Sequence, residues 1–207
     1  MPSIASKLES LGIVLPEPFK PVGLYKPVSI VGRRLYVSGH GPWPNGEAIK
    51  AKVGSELTVR EAADAARHVG LGILSTLEHQ VGLDNVLRLY RTFGMVNSEP
   101  RFEKHPQVID GFSALMVEVF GPDRGMGARS AVGVNSLPFG IAVEIEAEFI
   151  LRRGWRSRLT GRAQATTRAQ ETSPSQTNVP GSVHAQAPGL APSAQAMPVS
   201  ARPPIPG

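Results

Sequence analysis

Apolar residues along this chain recur at intervals of three or four in some stretches and of two in others, and the changes of interval predict its elements. Ile4 to Leu11 forms a short amphipathic helix, closed by Gly12 and followed by a connector rich in proline at 16, 18 and 21. Two strands are expected next, Leu24–Val31 and Leu35–Ser38, with Gly32-Arg33 as the turn between them. The GPWPNGE segment reads as a loop. Thr58-Val-Arg-Glu61 has the form of a capping box, in which a hydroxyl and a carboxylate satisfy the first free amides of a helix. Ala62, Ala66, Val69, Ile73 and Leu77 then keep a single apolar face as far as Gly82. Val86 to Val96 is a strand, and Val108, Phe112, Leu115 and Val119 mark a second long helix, stopped by Gly121-Pro122. Two more strands close the pattern.

The last of these strands carries the clearest signal. From Ala142, the residues Val143, Ile145, Ala147 and Phe149 alternate with Glu144, Glu146 and Glu148. Strand geometry sends alternate side chains to opposite faces, so the acids share one side and the apolar residues the other. The preceding strand holds a single arginine, Arg129, within GARSAVGV. A fixed cation beside a fixed carboxylate can hold a small carboxylic acid and move protons near it. The plainer alternative is a hairpin with a solvated acidic face.

The order ββ, helix, β, helix, ββ predicts an α+β domain in which two helices cover one face of a single mixed sheet. Its other face would be bare in a monomer, which predicts self-association through that face.

Composition changes abruptly after Gly154. Residues 155–207 hold 8 of the 19 prolines and many Ala, Gln, Ser and Thr residues. Such a segment buries too little apolar surface to offset its ordering entropy, so a disordered tail is expected there. The tail also carries the charge. It has five arginines and one acid, hence +4 of the formal +5, and leaves residues 1–154 with 17 basic and 16 acidic side chains. A nearly neutral domain has no electrostatic footprint for a phosphate backbone, so no nucleic-acid partner is expected. The division expected is a helix and connector at 1–19, a domain at 20–154 and the tail.

The 207 residues include no cysteine, which excludes disulfides, thiolate metal sites and cysteine nucleophiles. The N-terminal stretch lacks the apolar core of a signal peptide, and no apolar run approaches the roughly 20 residues of a membrane helix. A soluble cytoplasmic protein is the expectation. His68 and His79 show no metal-ligand spacing and read as surface residues. Ser38 lacks the preceding glycine of a nucleophile elbow, and the Gly125-Met-Gly127 loop lacks a phosphate-binding lysine. Arg33-Arg34 and Arg152-Arg153 read as solvated strand ends.

Taken together, LYVSGHGP at 35–42, AADAARHVGLGIL, LDNVLRLYRTFGMVNS at 83–98 and ARSAVGV…LP…VEIEAE at 128–148 resemble the RidA family, also called YjgF or endoribonuclease L-PSP-like. The likeness covers nearly all of residues 20–150, and the N-terminal helix and FEKHPQVIDGFSALMVEVFG resemble one of its less studied branches. It implies a chorismate-mutase-like fold forming a homotrimeric barrel, with sheets inward, helices outward and sites in clefts between subunits. It implies hydrolysis of enamine and imine intermediates to a 2-oxo acid and ammonia, with no cofactor and no metal. By position in the motif, Arg129 would bind the substrate carboxylate, Glu144 would handle the attacking water, and Tyr25 would stand at the pocket mouth. His40 stands where the family usually has Gln. It would be a pocket contact or general base, or else a hydrogen-bonded histidine at a strand end. Two further departures are Gly127, where this branch commonly has His, and Asp110, where it commonly has Asn.

Arginine suits the implied role because it recognises a carboxylate bidentately and stays charged. An imine is already electrophilic, so orientation, one water and a modest proton shuttle suffice. Two functional classes follow: a cofactor-free imine deaminase, or a non-catalytic trimer that binds a small carboxylate metabolite through Arg129. Ribonuclease or translation-inhibitor activity ranks third because the domain is nearly neutral.

Overall fold

A computed structural model describes residues 3–21 and 23–155. The predicted tail, apart from Trp155, lies outside the described residues. The elements are α1 (Ile4–Ser10), β1 (Val28–Val31), β2 (Arg34–His40), α2 (Val59–Gln80), β3 (Val86–Asn97), α3 (His105–Phe120), the single turn α4 (Pro122–Gly125), β4 (Ala128–Val134) and β5 (Val143–Leu151). The strands form one mixed sheet in the order β1-β2-β5-β3-β4, antiparallel throughout except for the parallel β3–β4 pair.

The helices start and stop for local reasons. At the head of α2 the Glu61 amide donates to the Thr58 hydroxyl at 3.3 Å, and the Thr58 amide donates to the Glu61 carboxylate at 2.9 Å. This is the capping box expected from the sequence. Gly121, at φ 80°, ends α3, and Pro122 then opens the extra turn α4. The strand expected over Leu24–Val31 begins only at Val28. Pro27 has no amide to give the ladder and restricts Lys26 before it.

α2 and α3 lie side by side on one sheet face. The alternation expected in β5 holds: Val143, Ile145, Ala147, Phe149 and Leu151 are buried beneath the helices, while Glu144, Glu146 and Glu148 point away from them. Ala62, Ala66, Val69, Ile73 and Leu77 of α2 and Val108, Phe112, Leu115 and Val119 of α3 complete this layer. Ile4 and Leu8 of α1 are buried in the same core, and Trp155 packs at its margin. Among the described residues, no helix lies on the opposite sheet face. Tyr36, Arg91, Phe93, Met95, Ser130 and Val132 stand on it among the three glutamates, by their register with β5. No helix among the described residues is long and apolar enough to cross a membrane.

Glycine sets how closely the two long helices approach. A Cβ at Gly111 of α3 would collide with the backbone of Ala63 in α2. Glycine to alanine in a helix ordinarily stabilises by up to about 1 kcal/mol. Here the sign reverses, because the methyl has no space and the helices would have to separate. Gly111→Ala is expected to lower stability by about 1–3 kcal/mol, the usual cost of overpacking, measured by urea denaturation. Unchanged or increased stability would contradict this packing.

Candidate active site

Glu144 sits at the start of β5, and its carboxyl lies over the backbone of β2. A Cβ at Gly39 would strike the Glu144 carboxylate, so the strand glycine clears the space it occupies. Around it is a cavity of about 720 Å³ lined by Phe19, Tyr25, Ser38, Gly39, Trp43, Pro138 and Phe139. Tyr25 comes from the turn before β1, Trp43 from the GPWPNG loop, and Phe139 from the connection between β4 and β5. The Ser38 hydroxyl is committed to the Lys26 carbonyl at 2.7 Å. Glu144 is half-buried, and burial raises its pKa above the ordinary carboxylate value, with Glu146 adding in the same direction.

Arg129 occupies a different place. It lies on the edge strand β4 with its side chain on the helix side of the sheet. There Nη1 donates to Asp110 Oδ1 at 2.7 Å and to Ser113 Oγ at 3.0 Å, both on α3. A smaller cavity of about 270 Å³ surrounds it, lined also by Leu89, Thr92, Gly125, Met126 and Gly127. The register shows why one chain does not bring Arg129 and Glu144 together. Arg129 pairs with Thr92, which pairs with Ala147, a residue of the buried row. Glu144 pairs with Met95, three residues further along and on the other face. The two residues are therefore about 10 Å apart along the strands and about 10 Å across two strand spacings, on opposite faces. The cation beside a carboxylate expected from the sequence is not formed within one chain.

His40 takes the second of its two expected forms, a hydrogen-bonded histidine at a strand end. Between Val37 and His40 three steps of β2 are matched by two of β5, a bulge that inserts one residue. The extra residue reverses the alternation, so His40 turns to the helix side and is 2% exposed, outside the Glu144 cavity. Its Nδ1 lies 2.7 Å from the Ser38 carbonyl and its Nε2 2.9 Å from Thr76 Oγ1 of α2. A carbonyl only accepts, so Nδ1 carries the proton and Nε2 accepts from the threonine. Burial lowers the pKa of His40, which keeps it neutral. It is a buried link between β2 and α2, and its ring packs against Phe19 of the cavity wall, with centroids 5.2 Å apart. Of the four residues singled out from sequence, the structure brings Glu144 and Tyr25 into one cavity and places Arg129 and His40 elsewhere.

Sequence reasoning missed Gly39 and the rings of Phe19, Trp43 and Phe139. Gly39 lies just past the predicted strand Leu35–Ser38 but inside the observed β2, and a glycine within a strand marks a bulge or close approach. The three rings come from loops, where no periodicity selects them. Asp110 was noted only as a departure from the family pattern, and its contact with Arg129 is what the structure adds.

An α+β chain with one mixed sheet, two long helices on one face and a carboxylate cavity on the other defines a narrow structural class. Residues 5–140 match the family described as YjgF/chorismate mutase-like, putative endoribonuclease, and the chain belongs to that family. It is similar to Protein TCP17 of Trypanosoma cruzi, with 40% identity over 146 residues, covering 70% of this chain and 91% of that one. Among solved structures it resembles Atu1372 of Agrobacterium tumefaciens, a protein of unknown function, at 34% identity and a TM-score of 0.64, covering 72% and 94% of the two chains. It also resembles a Shewanella oneidensis protein bearing the same endoribonuclease description, at 28% identity and a TM-score of 0.69, covering 72% and 100%.

The Asp110 contact generates a prediction. A carboxylate already paired with Arg129 competes with any carboxylate brought by a ligand. Asp110→Asn should keep the arginine in place through a neutral hydrogen bond and remove the competing charge. Pyruvate titrated calorimetrically is expected to bind the variant several-fold more tightly than the parent. Weaker binding would show that Asp110 serves to hold Arg129 for the ligand.

Proposed function

We propose that the protein is a cofactor-free hydrolase of reactive 2-imino acids and their enamine tautomers. In this reading it works as a homotrimer whose site joins Arg129 of one copy to Glu144 and Tyr25 of another. The observation that carries the proposal is Glu144: a half-buried carboxyl with a raised pKa, facing a cavity large enough for a metabolite. Membership of the family supports it, as does the uncovered sheet face, which a threefold closure would bury. The separation of Arg129 from Glu144 also supports an assembled site, because Arg129 lies on an edge strand that a neighbouring copy can approach.

The chemistry follows from these groups. The guanidinium of Arg129 binds the substrate carboxylate and fixes the imine carbon. The Glu144 carboxylate accepts a proton from water as its oxygen adds to the carbon of the protonated imine, giving a neutral carbinolamine. The same carboxyl returns that proton to the nitrogen and then takes the hydroxyl proton as the carbonyl forms, so the C–N bond breaks and ammonia leaves with its bonding pair. The products are a 2-oxo acid and ammonia, and no electrons are exchanged with any outside group. A raised pKa suits a group that must both take and return a proton.

A second reading, a non-catalytic trimer binding a small carboxylate metabolite, is favoured by the Arg129–Asp110 pair. That pair orients the cation without requiring proton transfer.

A coupled assay separates the two. With 2-iminopropanoate generated in situ, added protein should accelerate pyruvate release. Arg129→Lys should lose most of the acceleration, because lysine lacks the bidentate fork, and Arg129→Ala should lose more. Glu144→Gln should still bind pyruvate yet slow turnover by roughly 10²-fold. No acceleration by the parent protein would leave the binding module. Activity unchanged in Arg129→Ala would remove Arg129 from the site. Light scattering should give the mass of three chains, and a stable monomer at micromolar concentration would exclude the shared site.

Glu144 also carries a pH dependence. Its folded pKa lies above its unfolded value, so its ionised form destabilises the fold above the folded pKa, and the effect vanishes below the unfolded one. Glu144→Gln is therefore expected to melt higher than the parent at neutral pH. The gain should shrink as pH falls through the carboxylate range. A lower melting temperature at neutral pH would contradict burial as the cause of the raised pKa.

A further inference from the structure

The walls of the Glu144 cavity are far more aromatic than a three-carbon imine requires. Phe19, Tyr25, Trp43 and Phe139 are brought to it from four separate segments. Three of these rings keep substantial contact with solvent: Tyr25 at 47%, Trp43 at 36% and Phe139 at 66% exposure. Rings that complete a core are buried, whereas these stand around one carboxyl with open space between them. Trp43 and Phe139 meet edge to face, with centroids 6.0 Å apart, in the geometry favoured by aromatic pairs.

Phe139 adds an independent sign. Its backbone lies at φ 59° and ψ 8°, the left-handed region that bulky side chains avoid. Gly140 follows it, also at positive φ, so a glycine was at hand for the turn. A phenylalanine kept in an unfavourable conformation and left mostly exposed points to a task for its ring.

The polar side of the cavity is narrow. Ser38 is tied to the Lys26 carbonyl, and Glu144 is the one charged side chain among the described residues that line the space, beside the polar tips of Tyr25 and Trp43. Such a site takes a ligand with an N–H or iminium group at one end and an extended apolar body. A protonated imine gains further from the π faces around it.

We infer that the site is shaped for 2-imino acids with a large apolar side group, aromatic or long aliphatic, rather than for the small imines derived from alanine or serine. The reacting group rests on the imine-hydrolase reading; the preference for an apolar body rests on the cavity alone. Trp43 and Phe139, which meet edge to face in the cavity wall, are the specificity-determining residues that grip the side group.

The test uses the full chain and two probes. An amino-acid oxidase generates the imines of phenylalanine and alanine, and 2-oxo acid release is followed. The phenylalanine-derived imine should be hydrolysed with a kcat/KM at least about tenfold higher, a difference that an apolar pocket commonly supplies. Trp43→Ala and Phe139→Gly should raise KM for that imine about tenfold, with a two- to threefold change for the alanine-derived one. Phe139→Gly removes the ring while relieving the backbone, so it is expected to fold. Equal rates on both imines, or equal losses in the variants, would overturn the inference. Dissociation of the oligomer in either variant, seen by light scattering, would overturn it too, because the rings would then belong to an interface between copies. If neither imine is hydrolysed, the imine-hydrolase reading fails by itself. Binding of phenylpyruvate against pyruvate, measured by calorimetry, then decides the cavity. Binding at least about tenfold tighter for phenylpyruvate, lost in Trp43→Ala, supports the apolar preference, and equal binding overturns it.

Discussion

β5 carries the constraint on which the rest of the structure depends. It is bonded to β2 on one side and β3 on the other, so it fixes the register of both halves of the sheet. Its buried row, from Val143 to Leu151, is the floor on which α2 and α3 rest. Its other row presents Glu144, Glu146 and Glu148 to the uncovered face. A slip of one residue would put three carboxylates under the helices and five apolar side chains in water. Burial of an unpaired carboxylate is costly enough that the register has no competitor. The position of Glu144 is thus a consequence of how the core is filled.

The bulge in β2 modifies that constraint locally, with two effects. It turns His40 inward, where a neutral imidazole joins the Ser38 carbonyl to Thr76 and ties the strand end to α2. It also presents Gly39 to the Glu144 carboxyl, which then lies against backbone with no side chain between. Three residues in sequence, Ser38 to His40, therefore do three different things. Ser38 holds the Lys26 carbonyl, Gly39 makes room, and His40 is part of the core.

The helices, the buried row and the capping box were legible in the sequence because each rests on a short-range period or a side chain bonded to its own turn. The class of fold was legible for the same reason, together with the motif spanning Ala128 to Glu148. What the sequence left unread depends on register between distant strands. Nothing local in SGHGP tells that one residue is extra, so the sequence leaves His40 open between a pocket contact and a strand-end link, and it faces Thr76. Nothing in VEIEAE tells that Arg129 lies two strands away on the other face. The aromatic walls were hidden for a further reason. Phe19, Trp43 and Phe139 sit in connections, whose paths are set by prolines, turns and a left-handed backbone step rather than by alternation, and Tyr25 was found only through the family resemblance.

Arg129 and Glu144 pose the question that links structure to function. Each is held for its own chemistry: the guanidinium by Asp110 and Ser113, the carboxyl by partial burial beside an apolar cavity. A substrate of a few heavy atoms cannot span them in one chain, since the sheet itself stands between. Either the two serve different ligands, or a second copy supplies the missing half. The uncovered face favours the second answer. It holds Tyr36, Phe93, Met95 and Val132 beside its acids, and an apolar surface of that kind gains free energy when covered. Closing the sheet against other copies would bury those side chains. On the trimeric reading proposed above, one closure would both cover that face and complete the site.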